Sequence, residues 1–377
     1  MVTTVEQTAL CYISDMRGKK IRVAVLFGGK SAEHEVSLRS AKNVIAALDP
    51  KKYTIVPIAI EKSGKWISAS ATQRKLLGLS SRAKLTGSRA LAVVPDGRGE
   101  LITTGGSSLG KVDVVFPVLH GPFGEDGTVQ GILKLANVPF VGPSVLGSAV
   151  GMDKDVAKRL LREAGIPVAD FLVATKSETV SFAAARKRLR LPLFVKPANL
   201  GSSVGVYKVR NEAEYKRALA ESFTFDTKIL IEEFIRGREV ECAVIGNERP
   251  RASVVGEIIP RHEFYSYEAK YLDENGASLE IPAKISKQIE KKIQALALKT
   301  AKVLVCEGMS RVDFFLKNDA TLIVNEINTI PGFTSISMFP KLWEASGMPA
   351  QKLIDTLIVL ALDRFKRDQR LKTAYGR

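Results

Sequence analysis

Near the C-terminus two apolar runs, residues 311–316 and 321–327, flank the turn signal Lys317-Asn318-Asp319-Ala320. A β-hairpin is the simplest fold for this pattern. Its polar groups crowd the open end: Arg311 and Asp313 on the first run, Glu326 on the second and Asn328 just beyond it. Residues two apart on a strand share a face. If Leu316 closes against Thr321, Arg311 stands opposite Glu326, Asp313 lies diagonal to it, and Asn328 follows on the same side. Phe315, Leu322 and Val324 are expected on that face too, so that only its open end is charged, as at the mouth of a pocket. Three oxygen ligands beside a guanidinium suit a hard cation such as Mg²⁺ together with phosphate. Arginine there suits a transferring phosphoryl group or a developing oxyanion. A solvated strand face with alternating charge is the competing reading.

The 377 residues are enough for two or three domains with substantial cores. No apolar run reaches the ~20 residues that a membrane helix needs, and the first 20 residues lack the charged-then-apolar order of a signal peptide. Cys11, Cys242 and Cys306 are odd in number and widely spaced, which fits a reducing cytoplasm and argues against a disulfide framework. Three histidines and no cysteine pairs make a zinc site unexpected. The net charge of +16 admits a nucleic-acid partner. The basic residues, however, spread over helix-like stretches such as 186–188 and 287–292, with few aromatics between them. They are read as solvated helix faces plus attraction for anionic substrates.

Strand 21–27, the turn Gly28-Gly29-Lys30-Ser31 and the helical periodicity of 36–48 open the chain. With strands expected at 53–60 and 112–118, residues 21–141 read as a parallel α/β domain. The stretch 68–110 reads as surface elaboration. The loop His120-Gly121-Pro122-Phe123-Gly124-Glu125-Asp126-Gly127 ends the third strand, before helix 128–136. Ligands bind outside the carboxyl ends of strands in such sheets, where both glycine loops lie. A boundary at Val141-Gly142-Pro143-Ser144 opens a central segment, 142–235. It holds helix 153–164, a strand ending at Lys196-Pro197, the loop Gly201-Ser202-Ser203-Val204-Gly205, and strands 206–209 and 228–233. The last segment, 236–377, holds strands 239–245 and 251–259, a polar aromatic loop at 265–272, helix 284–303, the hairpin and helix 349–367.

The loop 201–205 can bring backbone N–H groups close to phosphate. It lacks the spacing of a Walker A loop, and a plain hairpin turn also fits it. Lys196 and Lys154 are candidate phosphate ligands. Glu232 and Glu239 flank a turn where carboxylates can accept from an adenine amine and ribose hydroxyls.

The pieces at 28–37, 120–127, 196–197 with 201–205, 232–239, 265–271, 311–313 and 326–337 follow one another in an order that resembles the ATP-grasp superfamily. Within it they resemble the D-alanine–D-alanine ligase family, over residues 20–345. The resemblance implies an α/β, three-domain ATP-grasp fold: an N-terminal parallel α/β (preATP-grasp) domain and two α+β lobes clasping ATP. It implies ATP-dependent joining of two D-alanine molecules through an acyl phosphate, for peptidoglycan precursor synthesis. Alternatives are D-lactate or D-serine as acceptor, or another carboxylate–amine ligation.

The resemblance also assigns roles. Lys154, Lys196 and Lys270 neutralise phosphates, with Ser202 and Ser203 in the phosphate loop. Glu232, Glu233, Glu239 and the backbone of Ile235 hold the nucleoside. Asp313, Glu326 and Asn328 hold two Mg²⁺, for which Mn²⁺ can substitute. Arg311 and the Gly332 N–H stabilise the tetrahedral oxyanion. Glu33 pairs with the first ammonium, Ser337 takes the second carboxylate, and His120 and Met338 also line the substrate site. Glu33, Ser202 and Tyr271 form a set linking the domains. Residues 265–272 resemble a lid that excludes water, and Tyr271 favours a dipeptide over an ester product. A cytoplasmic homodimer without nucleic-acid or membrane partners is implied. Two departures stand out. Residues 1–20 form an extension, of which 1–15 are expected to be dispensable, and Glu233 replaces a lysine found in some relatives, which bears on adenine affinity.

Overall fold

A computed structural model of the chain describes residues 19–79, 89–260, 277–318 and 320–372. The expected lid, with Lys270 and Tyr271, lies outside the described residues. The first domain runs β1 (Ile21–Gly28), α1 (His34–Ala47), β2 (Tyr53–Ile60), β3 (Trp66–Ser68), α2 (Ala71–Leu76), β4 (Leu91–Val93), β5 (Glu100–Thr103), β6 (Ser108–Lys111), β7 (Val114–Val118) and α3 (Thr128–Leu135). Strand β1 is buried on both faces and pairs in parallel with β2 and β7, as its continuous apolar run predicts. The stretch read as surface elaboration contains the small antiparallel sheet β4-β5-β6, whose serines and glycines hide a short strand pattern.

Two helices follow, α4 (Val145–Met152) and α5 (Lys154–Glu163). The Asp153 side chain caps α5 by accepting from the N–H groups of Asp155 and Val156. The central lobe is β8 (Phe171–Thr175), α6 (Phe182–Leu189), β9 (Leu193–Pro197), β10 (Tyr207–Val209), α7 (Glu212–Ser222) and β11 (Lys228–Glu233), with sheet order β10-β9-β11-β8. Alternation along its strands divides the labour. Leu193, Val195, Ile229 and Ile231 join the core formed with α6 and α7, while Lys196, Leu230 and Glu232 take the opposite, cleft-facing side.

The last lobe is β12 (Arg238–Gly246), β13 (Arg251–Pro260), β14 (Ala277–Glu280), α8 (Lys287–Val303), β15 (Gly308–Leu316) and β16 (Leu322–Asn328), then α9 (Met338–Ala345) and α10 (Ala350–Gln369). Its antiparallel sheet has the order β14-β13-β12-β15-β16. One face, with Val240, Cys242, Val312 and Phe314, buries against α8 in a core that also takes Ala157 and Leu161 of α5. The other face is apolar at one end, where Ala243, Ile245 and Met309 join a core shared with β1, β7, α9 and α10. Its other end carries the charges.

The hairpin register differs from the sequence reading. Leu316 pairs with Leu322, Asp313 with Glu326 and Arg311 with Asn328. The turn is one residue longer than expected, with the Lys317 N–H donating to the Thr321 carbonyl (3.0 Å). A bulge then leaves Asn325 unopposed, between the pairs Asp313–Glu326 and Phe314–Val324. Each one-residue slip alone would swap faces. The two together return Glu326 and Asn328 to the side of Arg311 and Asp313. Beyond the bulge, Val324 and Leu322 turn to the α8 core instead of the charged face, and Ile323 stands beside Phe315 there.

Candidate active site

The charged end of the sheet is a dense ionic patch. Arg311 donates to both Asp313 oxygens (2.7 Å each) and pairs with Glu241 across the sheet (2.7 Å). Burial opposes the charge on Arg311, but Asp313 and then Glu241 outweigh it and hold its pKa above the usual value. The guanidinium is thus a fixed, preorganised cation. Glu241 follows Glu239 by two on β12 and shares its face; that spacing could have revealed it, yet sequence reasoning passed over it. Glu239 itself stands opposite Phe315.

Among the described residues no group of three His, Cys, Asp or Glu side chains forms a ready-made metal cluster. Asp313 is turned to Arg311, and Glu326 lies 3.5 Å from Lys154. The Asn328 Oδ1, however, is buried without a hydrogen-bond partner among the described residues. An orphan carbonyl oxygen beside two carboxylates is a donor set that fits a hard cation.

On the cleft side of the central sheet, Leu230 pairs with Lys196, which sets Glu232 diagonal to that lysine. Lys196 bonds Glu232 at 2.6 Å. The second oxygen of Glu232 pairs with Lys158 at 2.5 Å. Burial opposes the charge on Lys196, but Glu232 and then Glu326 prevail and hold its pKa above the usual value. Lys158 goes the other way: burial lowers its pKa by more than Glu232 raises it. Lys158 was not singled out, although it sits four residues after Lys154, on one face of α5. Lys154 donates to the Leu200 carbonyl (2.5 Å), at the entry of the glycine loop. The Glu233 side chain accepts from the Asp170 N–H (2.7 Å) and so ties β11 to the start of β8.

In the loop 201–205, Ser202 and Ser203 both have left-handed backbones (φ +52° and +59°). Such conformations cost about 1–2 kcal/mol per residue and recur at ligand-binding turns, where successive N–H groups form anion nests. The Ser202 hydroxyl donates to Glu33. Glu33 is buried between two glycine loops: a Cβ on Gly121 would come within 2.9 Å of its carboxylate, and one on Gly201 within 3.4 Å. Gly121 also has φ +75°, so this close approach needs glycine twice over.

His120 is buried, its Nδ1 3.2 Å from the Ile330 carbonyl and its Nε2 3.2 Å from the Ser40 hydroxyl. Burial lowers its pKa, only partly offset by Glu33. Glu125, from the same loop, is buried too. Burial and then Glu33 push its pKa up to about 8, against the N–H bonds from Gly121 and Ile330 and the charge of Lys154. Gly332 abuts Ser337: an added Cβ would lie 2.8 Å from the Ser337 hydroxyl oxygen. That oxygen accepts from the Thr334 N–H (2.9 Å). Ser337 heads α9, and the Met338 side chain is buried in the shared core.

The structure therefore gathers Glu33, His120, Lys154, Lys196, Ser202, Glu232, Arg311, Asp313, Glu326, Asn328, Gly332 and Ser337 around one cleft. Comparison with known proteins gives the family. The family model for the D-ala D-ala ligase N-terminus matches residues 22–143, and the one for its C-terminus matches residues 160–359. This chain belongs to the D-alanine–D-alanine ligase family. The D-alanine–D-alanine ligase of Oceanobacillus iheyensis is 50% identical over 366 residues, covering 94% of this chain and 99% of that one. D-alanine–D-alanine ligase A of Salmonella typhimurium is 50% identical over 361 residues, with coverage of 94% and 99%. Among solved ligase structures, that from Coxiella burnetii superposes with a TM-score of 0.82 at 41% identity, covering 93% of this chain and 96% of that one. A D-Ala:D-Ser ligase from Enterococcus faecalis gives 0.81 at 38% identity, covering 91% and 100%. The family has the ATP-grasp fold, so the two lobes flanking the cleft are its ATP-grasp lobes.

Proposed function

We propose that the protein joins two D-alanine molecules into D-alanyl-D-alanine, converting ATP to ADP and phosphate. The observation that carries this is the division of charge in the cleft: Lys154, Lys196 and Arg311 on one side, the buried carboxylate Glu33 on the other, in a chain half identical to D-alanine–D-alanine ligases. In the first step a D-alanine carboxylate oxygen bonds the γ-phosphorus and the bond to ADP breaks. Two anions must meet there, and Lys154 and Lys196 offset their repulsion. Lys270 joins them by family resemblance. Glu33 holds the ammonium of this first D-alanine, and Ser202 fixes the Glu33 rotamer. In the second step the amine of the other D-alanine attacks the acyl carbon. Arg311 and the Gly332 N–H stabilise the oxyanion, and phosphate leaves. The Ser337 hydroxyl and the N-terminus of α9 suit the acceptor carboxylate. Asp313, Glu326 and Asn328 would hold magnesium (two ions, with manganese able to substitute), which when bound supplies further charge neutralisation at the phosphates. Ser203, Glu232, Glu233, Ile235 and Glu239 line the nucleoside side, and Tyr271 completes the set with Glu33 and Ser202.

The likeness to a D-Ala:D-Ser ligase supports one second reading, D-serine as acceptor. The same family reading carries a cytoplasmic homodimer without membrane or nucleic-acid partners, feeding peptidoglycan precursor synthesis. Among the described residues no helix is long and apolar enough to cross a membrane. Phosphate release from ATP and magnesium tests the assignment. D-alanine should stimulate it strongly, and L-alanine should not. D-serine beside D-alanine should add product only if the second reading holds. No stimulation by D-alanine refutes the ligase assignment.

A further inference from the structure

The segment 329–333 runs from the end of β16 past the expected metal ligands to Gly332, and side chains of the first domain grip it. The Ile330 N–H donates to Glu125 Oε1 (3.2 Å), and the Ile330 carbonyl faces His120 Nδ1 (3.2 Å). The Phe333 N–H donates to the Ser40 hydroxyl (3.2 Å), and the Phe333 carbonyl accepts from the Asn43 amide (2.8 Å). One tautomer satisfies the whole set. With the proton on His120 Nδ1, the ring donates to Ile330, and its Nε2 accepts from Ser40 while Ser40 accepts from Phe333. Pro331 has no N–H. Within residues 330–333, the Gly332 N–H is thus the one left without a protein acceptor among the described residues.

We propose that Glu125 is a positioning residue for this reaction: its carboxylate bolts the Gly121 loop to the segment that presents the Gly332 N–H. One oxygen takes the Gly121 N–H (2.7 Å), the other takes the Ile330 N–H, and the Glu125 carbonyl accepts from the Thr329 hydroxyl (3.3 Å). Glu125 spans two domains in a single side chain and fixes both neighbours of the acyl centre. Gly121 stands against Glu33, which holds the first ammonium, and Gly332 presents the oxyanion donor. Ionised, Glu125 offers an acceptor oxygen to each N–H, whereas glutamine offers one and turns an NH₂ toward the other, so at a pH above about 8 Glu125→Gln preserves volume and breaks the bolt. Misplacement by about 1 Å can cost 10²-fold in rate. The inference rests on the ligase reading, and the test separates the two.

The test measures D-alanine-dependent phosphate release in wild type, Glu125→Gln, Ser40→Ala and the double variant, alongside thermal unfolding. Glu125→Gln should lower kcat about 100-fold, with the KM for ATP within about twofold of wild type. Ser40→Ala, which loosens the same segment at Phe333, should lower kcat about tenfold. The double variant should fall by less than the product of the two, because both act through one segment. A folded Glu125→Gln enzyme with more than half the wild-type kcat overturns the proposal, as does a strictly multiplicative double variant. If Glu125→Gln does not fold, an unchanged kcat in Ser40→Ala overturns it. A wild type that D-alanine fails to stimulate instead removes the ligase reading beneath it.

Discussion

In the central lobe, α6 and α7 cover one face of the sheet, and the cleft face carries a small apolar group, Phe171, Val173, Ala198 and Leu230, beside the ring pair Phe194–Phe234. The first and last domains are built otherwise. Helix α10 reaches back across the chain, so that Leu353, Leu357 and Ile358 pack in one core with Val23, Phe27 and Phe116. Arg364 on α10 seals that joint by donating to the carbonyls of Phe140 and Gly142 (2.8 Å to Phe140). The central sheet meets this body through polar links: Lys158 with Glu232, Lys228 with Asp153 (2.7 Å), and Ser202 with Glu33. A shared apolar core resists relative motion, whereas a polar joint permits it. On the proposed assignment, the amino-acid pocket and the oxyanion segment sit on a fixed frame, and the nucleotide side sits on the part that can open.

Four substitutions sharpen or break this contrast. The largest effect is expected at the frame's own chemistry. Glu326→Gln should lower turnover by roughly 10³-fold with the thermal midpoint unchanged, since it removes charge without volume; retained turnover would take Glu326 out of the metal site. The next pair compares the two cores directly. Arg364→Ala leaves two buried carbonyls unpaired and should cost about 2–4 kcal/mol, unfolding the first and last domains in a single transition. Ile231→Ala in the central lobe should cost about 2–5 kcal/mol. In hydrogen exchange its loosening should stay within residues 171–233, and exchange spreading into the first domain would contradict the separation. The smallest effect concerns the polar joint. Lys158→Met should raise the KM for ATP about tenfold, roughly 1.4 kcal/mol, and leave the KM for D-alanine within about twofold. Equal rises in both constants would mean that the joint is not confined to the nucleotide side.

Much of this was legible because the signals were local. The apolar run and its flanking turns give β11 at its observed bounds, Lys228–Glu233, and β2 likewise, Tyr53–Ile60. The faces of Lys196 and Glu232 follow from strand alternation alone. The bulge at Asn325 was not legible, since nothing in the run 321–327 marks a residue to be skipped, and the turn took one residue more than its composition suggests. The role of Lys158 was not legible, because only the partner strand brings Glu232 to it. Glu125 stood inside a loop already singled out, but its two N–H donors come from different domains. The roles of individual site residues came from family resemblance. Geometry adds which of them already have protein partners.

The core joining β1 and β7 to α10 has a consequence for how the protein is made. A ribosome that has completed the first domain has made α1, which covers part of one sheet face, but not α9 and α10, which complete the cover. The rest of that face must wait, exposed, until residues 338–369 are made, and such surface is prone to aggregation. Premature termination just before α10 would therefore damage the beginning of the molecule as much as its end: a truncated product would lose the packing of Val23 and Phe116 along with its own last helix.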